Sequence, residues 1–107
     1  MSDSHTILRI EHPVTGYDQW KQAFDADPVG REAAGVRRYR IERPIDDPAY
    51  VMIDLEFDDT GHAEAMLASL RELWGSVQGT LIGDPRVRIV ELVESREYCG
   101  QSGPGVG

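Results

Sequence analysis

The stretch from Val36 to Phe57, VRRYRIERPIDDPAYVMIDLEF, admits few folds. Tyr39 and Ile41 alternate with Arg38, Arg40 and Glu42, and Val51, Ile53, Leu55 and Phe57 alternate with Met52, Asp54 and Glu56. Strict alternation is the mark of a half-buried strand. Turn-forming residues in Ile45-Asp46-Asp47-Pro48-Ala49 separate the two runs, so the stretch predicts a β-hairpin. Parity then suggests a register in which Ile41 faces Ile53 and Tyr39 faces Leu55, with Arg40 opposite Asp54 and Arg38 opposite Glu56. Opposite charges across a strand pair contribute roughly 0.2–1 kcal/mol each. A slip of one residue would carry charges into the apolar face, so the register is strongly specified.

The flanking segments add one strand and one helix on each side. Thr6 to His12 reads as a strand with Leu8, Ile10 and His12 on one face and Ile7, Arg9 and Glu11 on the other, ended by Pro13-Val14-Thr15-Gly16. Tyr17 to Ala26 reads as a helix, because Tyr17, Trp20 and Phe24 fall on one stripe. Lys21 and Asp25 form an i,i+4 pair on its wet side. Asp27-Pro28 reads as an N-cap and first position of a short helical turn, Val29 to Ala34, stopped by Gly35. After Asp58-Asp59-Thr60-Gly61, helical spacing links Ala63, Met66, Leu67, Leu70, Trp74 and Val77, with Gly75 as a point of kinking. Gly79 to Pro85 is a loop, and Arg86 to Glu94 a last strand with apolar residues on both faces.

The order β-α-β-β-α-β closes as a ferredoxin-like α+β fold, a four-stranded antiparallel sheet with both helices on one face. The length of 107 residues suits one domain, spanning 1–98, with a flexible glycine-rich tail over 99–107. On the helix side, Leu8, Ile10, Tyr39, Ile41, Val51, Ile53, Leu55 and Phe57 are expected to meet Trp20, Phe24, Met66, Leu67, Leu70 and Trp74. The opposite face carries Ile7, Arg9, Arg38, Arg40, Met52, Asp54 and Glu56, whose charges either meet water or meet a second sheet that covers Ile7, Met52 and part of the last strand.

Few residues suggest chemistry. His12 ends the first strand on the apolar face, near the rings of the first helix. A neutral imidazole there can act as general base toward an acidic C–H or a phenol, or can simply be satisfied by a loop carbonyl. Trp20, Phe24, Tyr39 and Trp74 can wall a ligand pocket or can be plain core. Arg38, Arg40, Asp54 and Glu56 read more simply as a structural ion-pair set than as a carboxylate-binding group. The histidines at 5, 12 and 62 lack metal-site spacing, the Asp pairs lack that of a calcium loop, and no phosphate loop or nucleophile elbow occurs, so neither metal nor cofactor is expected. A net charge of −8 argues against nucleic acid and anionic membrane as partners. The lone Cys99 excludes an intrachain disulfide. The start of the chain lacks a secretory pattern and no run is a membrane span, so a cytoplasmic location is expected.

The element order over about 95 residues resembles the dimeric α/β-barrel superfamily, which includes antibiotic-biosynthesis monooxygenases, some polyketide cyclases and many small proteins of unknown role. So do the stretches His12-Pro13-Val14-Thr15-Gly16-Tyr17-Asp18-Gln19-Trp20 and Arg43-Pro44-Ile45-Asp46-Asp47-Pro48, which are similar to barrel-like or cyclase-like members. The resemblance implies a homodimer packed through the sheet faces that bear Arg38, Arg40, Asp54 and Glu56, and a small hydrophobic ligand between helices and sheet. Monooxygenases of that superfamily typically line the pocket with Asn, Trp and His. This chain has no Asn, Trp74 can stand for the Trp, and His62 begins the second helix rather than following it. The expected function is a small cofactor-independent enzyme, cyclase-like or monooxygenase-like, acting on a hydrophobic or aromatic metabolite with His12 as base. The alternative is a non-catalytic dimeric barrel that binds a small molecule.

Overall fold

The computed structural model describes residues 5–77 and 82–98. The lead 1–4, the side chain of Val77, part of the 79–85 loop and the 99–107 tail with Cys99 lie outside the described residues. In order, the elements are β1 (His5–Pro13), α1 (Tyr17–Ala26), β2 (Arg38–Glu42), β3 (Tyr50–Phe57), α2 (Thr60–Val77) and β4 (Arg86–Leu92). They form a four-stranded sheet in the order β2-β3-β1-β4, with every neighbouring pair antiparallel.

The hairpin takes the register its parity predicts. Ile41 pairs with Ile53, Tyr39 with Leu55, Arg40 with Asp54 and Arg38 with Glu56. Its loop is closed by Asp47, whose carbonyl accepts from Tyr50 N–H at 3.2 Å and whose carboxylate accepts from Ala49 N–H at 3.2 Å. Val14 N–H donates to Ala49 O at 2.8 Å and ties this loop to the end of β1. The core lies on one side of β1 and β3, where the fully buried Leu8, Val51 and Phe57 cluster with Trp20 of α1 and Ala63, Met66 and Leu70 of α2.

Several expectations need correction. Tyr39, placed among the core residues by parity, is 43% exposed, because β2 is the edge strand and α2 packs over β1, β3 and β4 instead. The last strand ends at Leu92, opposite His5 where β1 begins, so Val93 has no β1 residue to pair with and is exposed. The second helix runs unbroken through Gly75.

Asp27 serves both neighbours at once. It ends α1 in the left-handed conformation (φ 55°), which Asp tolerates better than most side chains. Its Oδ1 accepts from Arg31 N–H at 2.9 Å, so the single turn that follows starts at Arg31 and not at Pro28 and Val29 as the sequence suggested, because Gly30 before it is left-handed at φ +67°. That turn closes at Gly35, where φ is +103° and an added Cβ would lie 3.0 Å from His62 Cδ2. Val36 N–H donates back to Arg31 O at 3.0 Å, the pattern of a glycine-terminated helical turn.

On the other sheet face the carboxylates lie beneath arginines. Asp54, 7% exposed, sits 3.2 Å from both Arg9 Nε and Arg40 Nη2. Glu56 lies 2.9 Å from Arg38 Nε and 4.0 Å from His5 Nδ1. Strand β1 therefore adds Arg9 and His5 to the two cross-strand pairs read from the hairpin. No helix among the described residues is long and apolar enough to cross a membrane.

Candidate functional site

The first helix departs from the end of β1 through the link 14–16 and enters the core through Trp20, with Tyr17 and Phe24 packed against the core. Its apolar stripe brings aromatic rings into series. His12 meets Trp20 edge-on with ring centroids 6.1 Å apart, and Trp20 meets Phe24 at 5.1 Å. Beyond Phe24 stand the Tyr39 ring, edge-on at 5.0 Å, and the Arg31 guanidinium, 3.8 Å above the Phe24 centroid. Between this ladder, the sheet and α2 there is a cavity of about 120 Å³. It approaches the ~150 Å³ apolar cavity that admits one benzene. Ile53 and Leu55 of β3 and Met66, Leu70 and Trp74 of α2 complete most of its apolar wall.

Four of the five residues singled out in the sequence line this cavity: His12, Trp20, Phe24 and Trp74. Tyr39 does not. It packs on the outer side chain of the ladder, Phe24, and remains partly exposed on the edge strand. Arg31 lines the cavity as well, and sequence reading missed it. The one available signal was its place in the turn after α1, four residues beyond the Asp27 that stops the helix.

His12 is 2% exposed. Its Nδ1–H donates to the Pro13 carbonyl at 3.0 Å, since a carbonyl can only accept. That bond selects one tautomer of the neutral ring and leaves Nε2 as the basic nitrogen. Burial pushes the His12 pKa below its ordinary value, and the bond to the Pro13 carbonyl opposes the shift in part. The ring is therefore neutral at pH 7, the state a proton acceptor needs. Among the described residues no group of three or more His, Cys, Asp or Glu is placed to hold a metal ion. The second helix begins with a separate surface pair, in which His62 Nδ1 lies 2.9 Å from Asp59 Oδ1.

No protein-family model matches the chain, and no curated protein matches it significantly. Solved structures do. Protein SO0527 from Shewanella oneidensis is 17% identical, with a TM-score of 0.67 over 85% of this chain and 93% of that one. A dimeric ferredoxin-like protein from an uncultured marine organism is 10% identical, with a TM-score of 0.62 over 90% of this chain and 94% of that one. A monooxygenase from the gene ActVA-Orf6 of Streptomyces coelicolor, solved with the ligand nanaomycin D, is 19% identical, with a TM-score of 0.58 over 87% of this chain and 91% of that one. At these identities the likeness speaks to fold. The chain has the ferredoxin-like α+β fold of these dimeric and monooxygenase structures, the fold that its resemblance to the dimeric α/β-barrel superfamily implied.

Proposed function

We propose that the protein is a small cofactor-independent enzyme, cyclase-like or monooxygenase-like, that takes a proton from an aromatic or otherwise hydrophobic metabolite held between helices and sheet. The observation that carries this reading is the pairing of one buried neutral imidazole with an otherwise mostly apolar cavity. In such a site the walls bind and orient the ring, water is excluded, and Nε2 of His12 accepts the proton of an acidic C–H or phenol. General-base catalysis of this kind contributes about 10²–10⁴-fold. The monooxygenase and its bound nanaomycin D agree with a ligand of this class on this fold.

The reading includes a homodimer. A second copy packs on the sheet face bearing Arg38, Arg40, Asp54 and Glu56, as the dimeric state of a fold neighbour suggests. That face is hollow, with about 590 Å³ of open space bounded by the sheet and the segment from Leu92 to Glu97.

A non-catalytic binding role is the second reading, and the partner of His12 favours it. Nδ1 is held by a backbone carbonyl, where a base built for turnover is often held by a carboxylate that stabilises the imidazolium. The two readings separate in D₂O. Acetophenone, a compact aryl ketone that is un-ionised at pH 7, should exchange its acidic C–H at least ~10²-fold faster with the protein than without, by proton NMR, and His12→Gln should return the rate to background. Binding without exchange leaves the second reading. Unchanged exchange in His12→Gln rejects His12 as the base.

A further inference from the structure

We infer that Arg31 makes the helix–sheet cavity a site for an aromatic molecule bearing a planar oxygen anion, a carboxylate or an enolate; the inference rests on the pocket reading above and names its ligand class. The chain as a whole is acidic, with a net charge of −8, so its overall field repels such a molecule. A cation placed in the cavity wall against that background is informative. The Arg31 side chain is 15% exposed, whereas those of Arg37, Arg38 and Arg40 are 62%, 73% and 66% exposed.

Four contacts hold the guanidinium. Nη1–H donates to the Phe24 carbonyl at 2.8 Å, Nη1 lies 3.4 Å from Asp27 Oδ1, and the guanidinium carbon lies 3.8 Å from the Phe24 ring centroid and 5.1 Å from that of Tyr39. The polar contacts among the described residues go through Nη1, so Nε and Nη2 keep the donor fork that suits a carboxylate or enolate. Asp27 offsets part of the charge, yet its Oδ1 also accepts from Arg31 N–H, so it anchors the group as much as it neutralises it. The ladder His12, Trp20, Phe24, Arg31 thus carries a neutral base at one end and a fixed cation at the other. Where the ligand enters as an un-ionised C–H acid, the proton that Nε2 takes leaves an enolate, and the charge formed on its oxygen is the anion that Arg31 holds; no oxidant or reductant is needed for that step.

The test compares benzoate with benzamide, which share a shape and differ in charge. Both tryptophans of the chain line the cavity, so quenching of their fluorescence reports occupancy. Benzoate should bind about tenfold more tightly than benzamide at low salt. Arg31→Gln should bring that ratio close to one while benzamide affinity stays within about twofold, and Arg31→Lys should keep part of it. Equal affinities in the unaltered protein, or a ratio that Arg31→Gln leaves unchanged, would overturn the inference and leave the pocket standing. No binding of either compound would overturn the pocket reading and this inference with it. If both variants fold poorly, equal affinities for benzoate and benzamide in the unaltered protein still overturn the inference.

Discussion

Burial of the His12 ring disfavours its imidazolium, so folding and protonation compete at this residue. The folded pKa lies below the ordinary value of about 6.5, so the folded state binds fewer protons than the unfolded one. The stability tied to the neutral ring is complete above about pH 6.5 and is lost as pH falls through the lowered folded value. His12→Gln has no such ring. Its stability deficit in urea melts should therefore shrink as pH falls below about 6.5, and a constant deficit would contradict the burial argument. Gly35 is a second residue whose identity is dictated locally. With φ at +103° and the His62 ring 3.0 Å from where an added methyl carbon would sit, Gly35→Ala should cost about 1–3 kcal/mol in the same melts. Gly35 was legible as a stop signal in the sequence. The cavity role of Arg31 was not, because packing of the turn after α1 against Phe24 is what brings its guanidinium to the cavity.

The hairpin was the most legible element, since two-residue periodicity and four opposed charges fix both face and register. What periodicity cannot reveal is which strand lies at an edge. Tyr39 and Ile41 alternate as cleanly as Ile53 and Leu55, yet only the latter pair is buried, because β3 is flanked by β1 and β2 while β2 has one neighbour. The Arg40–Asp54 pair is half exposed through its arginine, so a double-mutant cycle with Arg40→Ala and Asp54→Asn should return a coupling of about 0.2–1 kcal/mol. Arg9 also sits at Asp54 and raises the cost of Asp54→Asn alone. In α2, Gly75 has helical neighbours on both sides, a backbone outside the left-handed region and open space around an added Cβ. Gly75→Ala should raise stability by about 0.5–1 kcal/mol, measured by thermal or urea denaturation, and a loss instead would mean that the helix needs the glycine.

At the scale of the whole molecule, the two faces of one sheet are given different work. One face holds the apolar core and the cavity; the other holds carboxylates covered by arginines and is the proposed face for a second copy. Sedimentation equilibrium should then give twice the chain mass. Arg40→Glu, which sets a new carboxylate beside Asp54 on an exposed position, should shift the protein toward monomer without unfolding it. Mass independent of that change would move the interface elsewhere. The central claim, that the space between helices and sheet is a ligand site, is tested most directly by titrating phenol into ¹⁵N-labelled protein and following the two tryptophan indole N–H signals. Trp20 and Trp74 line the same cavity from α1 and α2, so both signals should move together and saturate on one binding curve. Signals that stay in place while phenol rises to millimolar concentration would mean that the cavity is closed core, and the function proposed for it would fall.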